Sequence, residues 1–379
     1  MSGQDSSLLY WIALNRIPGI SVKQFHALAG YGEHHLENIF NFSDTEFRKI
    51  PYMTPLLFEK LRRFSFYFEE AKREQSWIEK NNIIVKRLVD EDYPPLLKRI
   101  ADPPPLLYIK GRGCTRYFGI GIVGTRQATP YGLSVTDQLC SALVSVFRQY
   151  GVIISGLAAG IDAKAHETAL QHEGKTIAVL GNGLSIVYPS ENRWLYQKIS
   201  EEGVLMSEFP FDAMPSKYSF PRRNRVVSGL SHGIVVIEAP LKSGALITAE
   251  YALEQGREVF SVPGPVTSEA SAGTHMLIKQ GAHLVMSADD ILNAFPEYQY
   301  EFKKESLTEN EQIVHSLGHK ERHILELLNQ NQTFESMVDM SVLETYEVSE
   351  ILLDLQLKGL ILKQNQEYTR NLTWRKHSL

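Results

Sequence analysis

Apolar positions along this chain change their spacing from one segment to the next. Through residues 1–75 they recur at helical spacing. SLLYWIALNRI carries an apolar stripe, stops at IPGIS, and SVKQFHAL restarts behind Ser21 as a cap. The helix–turn–helix around IPGI resembles a helix-hairpin-helix, whose turn amides can contact a phosphate. No basic residues are expected to crowd it, so a structural turn is expected. LRRFSFYFEEAKREQSWIEK reads as a further helix leading out of an all-helical, SAM-like or helix-hairpin-helix-like domain.

From residue 80 to 296 the pattern alternates. IIVKRL, LLYIKG, FGIGIVG, GVIISG, TIAVLG, GVLMSE, GIVVIEA, EVFSVPG and HLVMS read as strands. Helical runs separate most of them, among them YGLSVTDQLCSALVSVFRQY, DAKAHETALQHE, ENRWLYQKISEE and SGALITAEYALEQG. Such alternation predicts an α/β fold, an extended Rossmann-like doubly wound sheet that is mostly parallel. Ligands of such sheets bind at the carboxyl ends of the strands. Here those ends read GTR, SGLAAGID, GNG, SEFP, EAPLKSG and PGP. Residues 297–310 are polar and read as a linker. In 311–379, KERHILELLNQ and VSEILLDLQLKGL are amphipathic helices and ILKQNQEYTRN a short hairpin, an order that predicts a C-terminal winged-helix domain.

Composition narrows the function. The net charge is −5, which argues against a protein that coats nucleic acid by overall positive charge. Any anion site must be a local patch. Cys114 and Cys140 are the only cysteines, so no disulfide framework and no cysteine metal site is expected. No apolar stretch approaches membrane-spanning length and residues 1–20 lack a signal-peptide pattern, so a cytoplasmic protein without membrane contact is expected.

One local patch stands out. FPRRNRVVSGLS packs Arg222, Arg223, Asn224 and Arg225 against the apolar run that precedes GIVVIEAP. It could receive phosphates, with Phe220 and Tyr218 as stacking surfaces. The rival reading is a solvated turn with one arginine pairing a core carboxylate. Gly124, Thr125 and Arg126 leave a strand and enter a helix, where exposed amides favour anions. Ser155, Gly156, Ala158, Ala159 and Gly160 repeat that arrangement with small residues, and Asp162 resembles an N-cap. Ser243, Gly244 and Thr248 form a third such edge.

Other motifs lead elsewhere. Gly119, Gly121 and Gly124 spell G-x-G-x-x-G, but they lie within a strand, not after one, which argues against dinucleotide binding. His166, Glu167 and His172 have HExxxxH spacing, which does not stack two histidines on one helix face, so a helix-surface role is expected and no metal site. Glu208 and Glu238 end strands. They could serve as acid–base residues or hold arginines in place.

VGTRQATPYG, SGLAAGIDAKAHETAL, TIAVLGNGLSIVYPSEN, FPRRNRVVSGLS, KSGALITAEYALEQGREVFSVPG and SAGTHMLIKQGA occur here in that order, after DEDYPPLLKRIADPPPLLYIKG. This set resembles the bacterial DNA processing protein A family (DprA, also called Smf), closely over residues 90–285. The resemblance implies a non-enzymatic, cofactor-free protein that binds single-stranded DNA. It also implies a homodimer and loading of the recombinase RecA onto incoming strands in natural transformation. It assigns DNA contacts to Arg126, to Lys217, and to Arg223, Asn224 and Arg225. One position departs: some members carry a lysine after the YP dipeptide, where this chain has Ser190, with Arg193 as a possible substitute. The alternative is a nucleotide-processing enzyme of the phosphoribohydrolase kind using Glu208 or Glu238. Its PGGxGT motif is not reproduced. The recognition-helix position of the tail carries Glu350 and Asp354 with one lysine, so it should repel a DNA groove.

Overall fold

The computed structural model describes residues 6–32, 36–39, 42–111, 117–147, 150–298, 317–328, 331–364 and 367–371. The expected linker lies almost wholly outside them. The chain divides into two compact units, Met1–Pro296 and Glu297–Leu379.

The first unit opens with six helices: α1 (Ser6–Asn15), α2 (Val22–Tyr31), α3 (Leu36–Ile39), α4 (Asp44–Phe47), α5 (Pro55–Arg62) and α6 (Phe64–Lys80). Ser21 caps α2 in a full capping box with Gln24. The turn that feeds this cap recurs as Ile50-Pro51-Tyr52-Met53 before the Thr54 cap of α5. The third position has φ of 76° at Gly19 and 61° at Tyr52. A basic side chain does reach the first turn, because Lys60 Nζ donates to the Pro18 carbonyl at 2.5 Å.

Nine strands then form one sheet: β1 (Ile84–Arg87), β2 (Leu106–Gly111), β3 (Phe118–Val123), β4 (Gly151–Ser155), β5 (Thr176–Leu180), β6 (Val204–Ser207), β7 (Gly233–Val236), β8 (Glu258–Ser261) and β9 (His283–Leu284). Their spatial order is β1-β2-β6-β5-β4-β3-β7-β8-β9. From β6 to β9 every neighbouring pair is parallel; β2 alone runs against the others, pairing antiparallel with both β1 and β6. The chain builds outward from β3 to β6, then returns to place β7 on the other side of β3. That reversal opens a crevice at the carboxyl ends of β3 and β7. Gly119 and Gly121 lie inside β3, and a Cβ at Gly119 would come within 2.6 Å of Ile154. They are packing glycines.

Side chains alternate between the two faces of the sheet. Leu106 and Tyr108 share a core with α1, α2 and α6, whereas Leu107 and Ile109 face the opposite core. The second core is filled by α11 (Ser219–Leu230) and α12 (Gly244–Glu254). The helical segment expected to stand apart therefore shares one continuous core with the sheet. Helices α7 (Pro95–Lys98), α8 (Pro130–Phe147), α9 (Ile161–Gln171), α10 (Arg193–Glu202), α13 (Ala272–Lys279) and α14 (Ala288–Leu292) complete the unit.

The second unit contains α15 (His319–Leu327), β10 (Gln332–Thr333), α16 (Phe334–Ser341), α17 (Thr345–Leu357), β11 (Ile361–Gln364) and β12 (Glu367–Arg370). Its strands lie in the order β10-β12-β11, all antiparallel. No helix among the described residues is long and apolar enough to cross a membrane.

Candidate nucleic-acid interface

A cleft of about 540 Å³ lies over the carboxyl ends of β3 and β7. Four loops line it. The loop after β3 supplies Gly124, Thr125, Arg126 and Gln127, and the loop after β4 supplies Gly156, Ala158 and Asp162. Lys217, Phe220, Arg223 and Asn224 come from the start of α11, and Lys242, Ser243, Gly244 and Thr248 from the start of α12. A second cavity of about 290 Å³ adjoins it, sharing Arg126, Phe220 and Arg223 and adding Asn182, Tyr188 and Ser190.

Local chemistry fixes these loops. Thr125 N donates to the Glu238 carbonyl at 2.7 Å, tying the end of β3 to the segment after β7. Gly160 adopts φ of 79°, a conformation that favours glycine, and it is the N-cap of α9. Asp162 is thus not the cap. It sits in the first turn of α9 and accepts from Gly156 N at 3.1 Å. Burial raises the Asp162 carboxyl above its ordinary range, against the pull of Arg223 and of the Ala158 and Gly156 amides. Ser243 caps α12, accepting from Ala245 N at 3.2 Å.

Arg223 forms the floor. Its Nη1 donates to the Gly156 carbonyl at 2.5 Å and the Val179 carbonyl at 2.6 Å, and its Nε to Asn224 Oδ1 at 3.0 Å. Asn224 in turn donates to the Gly244 carbonyl at 3.2 Å. Burial pushes the Arg223 guanidinium down to about 10; Asp162 opposes the fall and Arg126 adds to it. It therefore remains a cation at neutral pH. A Cβ at residue 156 would stand 2.5 Å from that guanidinium, so any larger residue there would displace Arg223 from the two carbonyls.

Above this floor, three exposed cations face solvent: Arg126, Lys217 and Lys242. Among the described residues none of the three forms a salt bridge, although Arg126 acts on the buried Asp162 carboxylate through its field. Aromatic rings interleave with them. The Arg126 guanidinium lies 5.1 Å from the Phe220 ring centre, and Lys217 Nζ lies 5.1 Å from that of Tyr218. Tyr188 and Phe220 have centroids 5.4 Å apart. Tyr218 is 74% exposed.

Of the residues singled out in the sequence, the cleft is lined by Gly124, Thr125, Arg126, Gly156, Ala158, Asp162, Lys217, Phe220, Arg223, Asn224, Ser243, Gly244 and Thr248. Ser155, Arg222 and Arg225 belong elsewhere. The Ser155 hydroxyl is buried and donates to the Ile122 carbonyl at 2.6 Å. Arg225 is buried against Glu208 at 2.6 Å, and Arg222 binds the same carboxylate oxygen at 2.8 Å. FPRRNRVVSGLS is helical, so neighbouring arginines point about 100° apart and only Arg223 turns to the cleft. The rival expectation for this cluster, a core carboxylate held by arginine, describes Arg225 and Arg222. Arg193 is exposed and lines neither cavity, so it does not replace a lysine at Ser190.

Neither candidate acid–base residue faces the cleft. Glu238 accepts from Thr129 Oγ1 at 2.6 Å and from Thr129 N at 3.0 Å, holding the start of α8. His166 is not on a helix surface. It is buried, with Nδ1 2.6 Å from Thr176 Oγ1, and burial together with Arg223 pushes it down to about 3. His172 is exposed as expected. Among the described residues no group of His, Cys, Asp or Glu is arranged to hold a metal ion. Sequence reasoning missed Lys242 and Tyr188. Lys242 precedes a Ser-Gly edge already singled out and was legible there. Tyr188 comes from a distant loop; its YP dipeptide was legible as a landmark, but not the ring's approach to Phe220.

Residues 84–296 match the family model described as DNA recombination-mediator protein A. The Smf protein of Synechocystis sp. is 38% identical over 300 residues, covering 76% of this chain and 72% of that protein. The Smf protein of Escherichia coli is 44% identical over 243 residues, covering 63% of this chain and 64% of its own. The DprA of Bacillus subtilis is 44% identical over 214 residues, with 56% and 71% covered. Among solved structures, DprA from Streptococcus pneumoniae superposes with a TM-score of 0.63 at 34% identity, over 75% of this chain and 97% of that one. DprA from Helicobacter pylori, solved for its single-stranded DNA binding mode, gives 0.50 at 30% identity, over 57% and 96%. A mostly parallel sheet with its crevice at the β3/β7 reversal, and a family match spanning that whole sheet, agree: the chain belongs to the DNA recombination-mediator protein A family.

Proposed function

We propose that the cleft over β3 and β7 binds single-stranded DNA without strict sequence choice. One observation carries this reading: three exposed cations without a salt bridge alternate with Phe220, Tyr218 and Tyr188 above a buried arginine. Phosphates need the cations and unpaired bases need the rings, whereas a duplex hides its base faces. The Ser243 hydroxyl, which accepts from Ala245 N, keeps its own proton as a neutral donor for a phosphate. The binding mode named for the Helicobacter pylori relative supports the same assignment.

Within this reading the protein is a non-catalytic recombination mediator that works as a cytoplasmic homodimer and loads RecA onto the strand. Family membership supports that role. The engagement of Glu208 by arginines and of Glu238 by Thr129 weighs against the phosphoribohydrolase alternative. We read the first helices as helix-hairpin-helix-like and the α-β-α-α-β-β order of the second unit as a winged helix.

The test is fluorescence anisotropy with labelled oligo-dT and with the matching duplex across a salt series. Single strands should bind more tightly, and affinity should fall as salt rises, because phosphate contacts release counterions. Equal affinity for both at every salt concentration overturns the proposal. RecA loading is read separately, as faster filament assembly on oligo-dT when the protein is added.

A further inference from the structure

The loop from Glu208 to Tyr218 carries Lys217 to the rim of the cleft and leads into Phe220. It is held from a distance. Arg16, at the end of α1, donates through Nη1 and Nη2 to Asp212 Oδ1 and Oδ2 at 3.1 and 3.0 Å. The same guanidinium reaches Glu74 on α6 at 2.7 Å and Glu70 at 3.3 Å. Glu74 is fully buried, and its other oxygen accepts from the Phe211 amide at 3.0 Å. The Phe211 ring lies 5.1 Å from Trp77 and beneath the Arg16 guanidinium at 5.6 Å. From the far side, Ser185 binds the Phe211 carbonyl through its amide at 2.9 Å and its hydroxyl at 2.7 Å.

Two groups that cost free energy to bury are thus spent on one short loop. Burial raises the Glu74 carboxyl despite its cation. Burial alone would lower Arg16, yet its bonds to Asp212 and Glu74 raise it. A helix packed on a sheet needs neither charge, since apolar residues of α1 and α6 already fill that core. What the pair adds is a fixed position for residues 211 and 212, which lie six and five residues ahead of Lys217.

We infer that Arg16 and Glu74 are positioning residues for strand binding: through the Glu208–Tyr218 loop, the helical segment sets where Lys217 stands. This rests on the strand-binding reading above. Neither Arg16 nor Glu74 lines either cavity, so they act on the strand only through that loop.

A double-mutant cycle tests it, with oligo-dT as the probe. Arg16→Ala should weaken binding about fivefold, below the ~tenfold of Lys217→Ala, and should add nothing in the Lys217→Ala background. Arg16→Ala leaves Glu74 buried without its cation. Asp212→Asn, at a half-exposed position, is therefore the milder second variant and should show the same non-additivity to a smaller degree. Limited trypsin digestion reads the loop without DNA, and cleavage after Lys217 should quicken in both variants. A merely structural role would lower the melting temperature and leave affinity per folded molecule unchanged, which overturns the inference. So does a loss from Arg16→Ala that adds fully to that of Lys217→Ala. If the parent protein does not bind oligo-dT, the strand-binding reading falls, and an unchanged tryptic pattern would then overturn the tether as well.

Discussion

Arg223 and Arg225 stand two positions apart on α11 and meet opposite surroundings. Arg223 closes the cleft floor over two strand-end carbonyls, while Arg225 is sealed against Glu208 and the Asp102 side chain on the far side. Their substitutions should therefore separate from that of Arg126. Arg126→Ala removes an exposed charge from the rim, so melting should be unchanged and oligo-dT affinity should drop roughly tenfold, the usual worth of one charge-assisted contact. Arg225→Ala strips a partner from a buried carboxylate and should cost about 3 kcal/mol or more of stability by denaturant titration. Should Arg225→Ala melt like the parent and bind DNA poorly, the division between floor, rim and core is wrong. This division was not legible in the letters RRNR. A run of cations gives the charge of a segment, but which cation faces the ligand depends on helical phase, and phase appears only once Ser219–Leu230 is known to be a helix.

Elements were easier to read than the directions of their side chains. All nine strand runs form strands, because each is a short apolar run bounded by glycine or polar residues and most are buried on both faces. The α11 segment escaped because its Phe-Pro start and its four polar residues hide the apolar stripe of Val226, Val227 and Leu230. The histidine of α9 misled for the same reason. His166 looks like a surface residue beside Glu167, yet it anchors α9 on Thr176 of β5. That anchor has a pH signature. In the folded chain His166 stays neutral down to about pH 3, whereas in the unfolded chain it takes a proton near its ordinary value of about 6.5. Below that value the unfolded state binds more protons, so this residue's contribution is complete above pH 6.5 and is lost as pH falls from there toward 3. Melting temperature should fall over this interval in the parent and fall less steeply in His166→Gln. Parallel curves for the two proteins would show that His166 does not carry the dependence.

At the scale of the molecule, every group assigned to strand binding lies in the unit Met1–Pro296. The second unit offers a phosphate backbone little. Its helix α17, the one a winged helix would present to a groove, carries Glu347, Glu350 and Asp354. The cations beside them are already engaged: Lys320 pairs with Glu347 at 2.5 Å, and Lys358 with Asp354 at 2.5 Å and Glu321 at 2.9 Å. Phosphates approaching that face would meet net negative charge, and releasing the lysines would leave carboxylates unpaired. The apolar side chains α17 exposes, Tyr346, Leu353 and Leu357, lie at i, i+7 and i+11 and so share one face, a pattern suited to a protein surface. Residues 1–296 alone should therefore fold and bind oligo-dT within about twofold of the full chain, a margin near 0.4 kcal/mol. The isolated segment 297–379 should show no binding at the same salt. Circular dichroism and the anisotropy titration, run on both pieces beside the intact protein, decide it. Loss of binding from a folded 1–296, with binding retained by the isolated tail, would move the strand site out of the sheet crevice and into the second unit.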